Sequence, residues 1–195
     1  AGFGPRDPYN YSDAYSSAAW DVRHNFTASC LYDLPVGRGK ALSFDSNAAN
    51  ILIGGWQVNS IITLRTGNPF TLGTNQCVGS FGNCTPDLAS GKNPQDAPSG
   101  GRTPAQWFDI SGVVAPAPGT PGNLGLQSNY APGNKHMDLS LFKRFRITER
   151  YNVQFRAEAF NLTNTPQLGG PSTNISGLRT SAGQFTGGVF EITGT

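Results

Sequence analysis

Hydrophobic and polar residues alternate with a period of two in four stretches of the chain. Within residues 24–34, Phe26, Ala28, Cys30 and Tyr32 alternate with Asn25, Thr27, Ser29 and Asp33. Within residues 56–66, Trp56, Val58, Ile62 and Leu64 oppose Gln57, Asn59, Thr63 and Arg65. Within residues 136–147, Met137, Leu139, Leu141, Phe145 and Ile147 form one row, which Lys143 interrupts. Asp138, Ser140, Arg144 and Arg146 form the other row. Within residues 151–162, Tyr151, Val153, Phe155, Ala157 and Ala159 oppose Asn152, Gln154, Arg156 and Glu158. A helix would repeat its apolar positions every three or four residues. Strict alternation predicts strands with one apolar and one polar face.

The length of these strands narrows the choice of fold. A globular strand has about five or six residues. The four here run to about eleven, close to the nine to eleven that cross a bilayer at a tilt. Aromatic residues mark their ends: Tyr32, Trp56, Phe70, Phe145, Tyr151 and Phe160. Girdles of this kind sit at both interfaces of a membrane barrel. The pattern predicts an all-β fold, with long antiparallel strands of a partial transmembrane β-barrel. A soluble sandwich with long strands is the competing fold.

The connections are unequal. Thr148, Glu149 and Arg150 join the last two strands as a tight hairpin. Between the first two, Asp45 or Ser46 is placed to cap a short helix that Gly54 and Gly55 end. The segment 67–133 is rich in Gly, Pro, Asn and Ser. It is too long for a compact soluble domain but ordinary as an extracellular barrel loop.

Composition agrees. Glycine (25) and proline (14) are abundant among 195 residues, and only 13% are charged. That excludes a helical bundle and a charged disordered tail. A formal net charge of +2 is too small to imply nucleic acid. The apolar runs are short, as in Ile51-Leu52-Ile53, which excludes a membrane helix but not a barrel. Residues 1–13 lack the basic and apolar regions of a signal peptide.

Few residues carry chemistry. Cys77 and Cys84 flank a Gly/Asn-rich loop, where an oxidising compartment would join them and a reducing one would leave two thiols. Cys30 reads as a small hydrophobe in its strand. Two histidines, His24 and His136, sit at strand beginnings, away from any nucleophile motif. Asp138, Glu149 and Glu158 are the available carboxylates. On barrel strands Asp138 and Glu158 read as lumen-facing partners of Arg144 and Arg156. Val36-Gly37-Arg38-Gly39-Lys40 lacks P-loop spacing and reads as a basic turn. Sequons at Asn10, Asn25, Asn83, Asn161 and Asn174 are expected by chance in an Asn-rich chain. Trp107, Phe108 and Tyr130 in the long segment can stack on a solute or anchor the loop. No enzyme, cofactor or metal site is expected.

The run DLSLFKRFRITERYNVQFRAEAFNLTN, with DVRHNFTASCLYDLPVGRGK and GGWQVNSIITLRTGNPF before it, resembles the C-terminal barrel of large TonB-dependent outer-membrane receptors. The resemblance is to the Oar-like type with a carboxypeptidase-regulatory-like N-terminal domain, and covers residues 21–195. It implies that strand one descends to the periplasm and strand two returns. Residues 67–133 and 165–186 become extracellular loops, and strands three and four a periplasmic hairpin. It also implies a bacterial outer-membrane location, lipid around the wall and a solute at the outer loops. The family's plug domain, TonB box and terminal aromatic strand are not found in this sequence. Four or five strands do not close a barrel of about twenty-two. The expectation is therefore a fragment without a plug, flanked by the rest of the barrel or by further copies. The alternative is a secreted or cell-surface β-rich structural protein that self-assembles through strand edges.

Overall fold

The computed structural model describes residues 9–74, 84–173, 175, 191, 192 and 194. In chain order the elements are β1 (Asn25–Asp33), α1 (Asn47–Ile53), β2 (Trp56–Arg65), β3 (Pro69–Phe70), β4 (Asp87–Leu88), β5 (Val113–Val114), β6 (Asn129–Tyr130), β7 (Asn134–Arg146) and β8 (Asn152–Ala159). They fall into two units. A sheet unit holds His24–Arg65 and Asn134–Pro166, and a loop unit holds Ala1–Arg23, Thr66–Gly133 and Gln167–Thr195.

The sheet unit is one antiparallel sheet in the order β1-β2-β7-β8. Its register carries the alternation across all four strands. Cys30 pairs with Ser60, Ser60 with Leu139, and Leu139 with Ala159. Directly paired residues point to the same side of a sheet. One face is therefore apolar from edge to edge, and the other presents Thr27, Asn59, His136, Asp138, Arg156 and Glu158. Among the described residues every buried hydrophobic belongs to the loop unit; the sheet unit has none. Phe26 and Tyr32 on the apolar face are 56% and 54% exposed.

The strand ends differ slightly from the sequence expectation, for local reasons. β7 begins at Asn134 because Arg65 of β2 still has a partner there. β8 stops at Ala159 rather than continuing to residue 162. Asn161 takes a positive φ of 48°. Its amide donates to Asp138 Oδ1, and its side chain closes a turn with Thr165. The cap of α1 is Ser46, whose Oγ accepts from the Ala49 amide. Gly54 ends the helix, and its backbone lies against Gly37, which has a φ of 121°. A Cβ on Gly54 would come within 2.7 Å of Gly37 Cα, so both positions require glycine. Cys30 is an exposed free thiol rather than a packed one.

Lys143, the interruption in the apolar row, is 3% exposed. Its ammonium donates to the Leu52 and Gly54 carbonyls at 2.7 and 2.6 Å. It also lies 5.0 Å from the ring centroids of both Trp56 and Phe145. A cation is thus accommodated by closing the carbonyl end of α1 and by aromatic faces. Trp56 Nε1 donates to the same Leu52 carbonyl, and its ring meets Phe155 edge-on at 5.7 Å.

The loop unit has its own core of Leu72, Phe108, Val113, Leu124 and Ile175. Two short ladders, β3 with β6 and β4 with β5, frame it. Phe70 packs here against Phe108, with centroids 6.0 Å apart, rather than marking a strand end of the long sheet. Polar groups brace this irregular backbone. Thr85 Oγ1 donates to the Leu124 carbonyl at 2.8 Å, and buried Asn129 donates to the Pro94 carbonyl at 2.6 Å. The Asn123 side-chain oxygen accepts from the Leu88 amide of β4, and the Asn123 amide donates to Asp87 Oδ1.

Removing the Lys143 ammonium leaves two carbonyls without their donor. Lys143→Met should speed hydrogen exchange of the Gly54 and Gly55 amides by roughly tenfold, the equivalent of about 1.4 kcal/mol for one lost charged bond. Mass-spectrometric exchange on the folded chain checks this.

Candidate functional site

The residues singled out in the sequence go to three different places. Phe108 is 1% exposed and forms the centre of the loop core. Trp107 packs on the edge of that core, and the Arg102 guanidinium lies 5.7 Å from its ring and 5.3 Å from that of Phe108. Cys84 is disulfide-bonded, whereas Cys77 lies outside the described residues. Tyr130 opens onto a cleft of the loop unit.

That cleft has a volume of about 460 Å³ and lies within the loop unit. Leu126, Gln127, Ser128 and, from β6, Tyr130 line one side of it, and β3 holds β6 in place from outside the lining. Pro69 pairs with Tyr130 and Phe70 with Asn129. Neighbouring residues of a strand point to opposite sides. Asn129 is therefore sealed inside, while Tyr130 faces the cleft. The Arg23 guanidinium stacks 4.7 Å above the Tyr130 ring. Tyr15, Ser16 and Ser17 form the opposite wall. Gln127 lies in a left-handed conformation, with φ of 53°, held by its amide donating to Thr71 Oγ1 at 2.9 Å. Its side-chain Oε1 is buried without a hydrogen-bond partner. A strained backbone and an unsatisfied carbonyl at one residue are costly and concentrate at binding sites.

The chemistry of the cleft is that of binding. Its lining contains one cation, several hydroxyls and a carboxamide, with no carboxylate, histidine or cysteine among the described residues. Arg23 over Tyr130 makes it electropositive, and the hydroxyls suit a polar or anionic solute. Sequence reasoning reached Tyr130 but missed Arg23 and Gln127. Arg23 looks like an ordinary residue ahead of the first strand, and no local pattern announces a positive φ at Gln127.

The polar face of the sheet is a network of side chains. His136 lies 3.3 Å from Asn134 and 3.9 Å from Asp138. Ser140 donates to Glu158 at 3.3 Å, and Arg156 pairs with Glu158. Arg156 also stacks 5.0 Å from Phe142. No group of three His, Cys, Asp or Glu residues is placed to hold a metal among the described residues. No helix there is long and apolar enough to cross a membrane.

A sheet with one continuous apolar face, one polar networked face and no buried hydrophobic of its own is the wall of a membrane β-barrel. The chain belongs to the outer membrane beta barrel domain family, whose model matches residues 1–191. It is a protein of the bacterial outer membrane. No curated protein and no solved structure matches it.

One ion pair makes the loop unit sensitive to pH. Lys92 Nζ donates to Asp109 Oδ2 at 2.8 Å, and Asp109 also accepts from Ser111. The Lys92 bond and then the Ser111 bonds hold the Asp109 carboxyl below its usual range, and Asp109 in turn raises Lys92. A depressed carboxyl stabilises the fold above its unfolded pKa of about 3.9 and ceases to as pH falls through its folded value. A raised lysine stabilises below about 10.4 and ceases to as pH rises through its folded value. The Gly112 amide, bonded to the Asp109 carbonyl, should exchange with unchanged protection between about pH 5 and 9. Protection should fall below about pH 4, and Asp109→Asn should shrink that acid step.

Proposed function

We propose that this outer-membrane chain is part of a TonB-dependent receptor of the Oar-like type, contributing barrel wall and outer solute-binding loops without catalysis. The observation that carries the proposal is the electropositive cleft of Arg23, Gln127 and Tyr130, in a loop unit that has its own core. The run from Asp138 to Asn164 that resembles such receptors supports it, as does the long insertion between β2 and β7. The partners are outer-membrane lipid along the apolar face, the remaining barrel along the edges of β1 and β8, and a polar or anionic solute in the cleft. Energy coupling belongs to other parts of such a receptor. The two open edges also favour a second reading, in which copies of the chain pair through β1 and β8 into an assembly.

The test uses cells displaying the receptor that contains this chain, offered a radiolabelled cell hydrolysate as a mixed solute probe. Uptake should stop when the proton-motive force is collapsed. Arg23→Ala with Tyr130→Ala should lower it roughly tenfold, the usual consequence of truncating two anchors in one pocket. Uptake indifferent to the proton-motive force would sink the transport reading. Regular assemblies of the purified chain in plain buffer would favour the second one.

A further inference from the structure

A second cavity, of about 390 Å³, lies in the sheet unit at the end with the short connections. The turn 36–40, the end of α1 and the last residues of β7 form its walls. Five cations line it: Arg38, Lys40 and Lys143, and also Arg144 and Arg146 of the polar row, which reach it because β2 begins at Trp56, opposite Lys143, and leaves the last residues of β7 without a β2 partner. No carboxylate does, although Asp33 lies in an adjoining cavity that shares Lys40 and Arg144. Lys143 is committed to the Leu52 and Gly54 carbonyls. None of the other four forms a salt bridge among the described residues. Four unneutralised cations around one hollow are mutually repulsive, and an anion there would relieve the repulsion.

The surroundings identify the anion. Ile51 lines the cavity itself, and Ile51, Leu52 and Ile53 are 62%, 65% and 48% exposed. Ile147 and Tyr151, flanking the hairpin after β7, are exposed as well. Water would penalise this apolar rim, whereas acyl chains would cover it. Trp56 and Phe145, beside Lys143, supply the aromatic residues of a membrane interface. Cations over a hollow, bordered by exposed apolar side chains, match a molecule with a phosphate head and hydrocarbon tails. We infer that this rim is a binding site for an anionic glycerophospholipid, with the phosphate held by Arg38, Lys40, Arg144 and Arg146 and the chains lying along Ile51, Leu52 and Ile147.

The inference rests on lipid covering the apolar face, and its test separates the two. The full chain is folded into mixed micelles of phosphatidylglycerol and phosphatidylcholine, and retained lipid is counted by native mass spectrometry. Phosphatidylglycerol should be retained over phosphatidylcholine by roughly tenfold or more, since each cation near an anionic lipid contributes about fivefold. Replacing Arg38, Lys40, Arg144 and Arg146 together by Gln should abolish the preference. Arg144→Lys with Arg146→Lys should keep it, and so should Arg65→Gln with Lys135→Gln at the opposite end of the sheet. Equal retention of both lipids by the unaltered chain would overturn the site while leaving lipid coverage intact. Failure to retain either lipid would overturn both. Loss of phosphatidylglycerol to millimolar inorganic phosphate would show a free-anion site and overturn the lipid assignment.

Discussion

Everything in the sheet unit depends on where its apolar face is buried. A soluble sheet hides one face against helices or a second sheet and gains about 25 cal/mol for each Å² so removed from water. Here four strands align their apolar positions by register, and no hydrophobic of the unit is buried within the chain. In the proposed function the bilayer is the missing layer. With lipid as the other half of its core, the sheet can be one strand thick and still be stable. Its polar face then needs only internal pairing, which His136, Asp138, Ser140, Arg156 and Glu158 provide.

The loop unit solves the opposite problem. It lacks long strands and is rich in glycine and proline, so its two short ladders satisfy only part of its backbone. It builds a small dry core around Phe108 and spends side chains on carbonyls and amides instead, as Thr85, Asn123 and Asn129 do. This bracing makes a cleft possible without regular structure. Gln127 is held in a left-handed conformation because Thr71 fixes its amide.

How much was legible in the sequence follows from the range of the forces involved. The long strands, their faces, the helix cap at Ser46 and the tight hairpin are local, and a period of two with turn residues reveals them. Lys143 was visible only as an interruption. Its partners on α1 are some 90 positions away, and no spacing rule reaches them. The segment 67–133 could be read as a loop but not as a unit with its own core, because its ladders join residues as distant as Pro69 and Tyr130. The cleft was half legible for the same reason. An aromatic residue in a loop is conspicuous, but an arginine that meets it from ahead of β1, five strands earlier in the chain, is not.

Cys30 gives this arrangement one more consequence. Its thiol is free and exposed on the apolar face of the edge strand β1, about midway along it, in the row with Ser60, Leu139 and Ala159. A bare thiol on a water-facing surface in an oxidising compartment would soon find a partner. Under the proposed lipid coverage it lies in hydrocarbon, away from aqueous oxidants. The membrane therefore acts as a protecting group as well as a solvent, and the sheet can carry a reactive atom on its outside without making it a point of cross-linking.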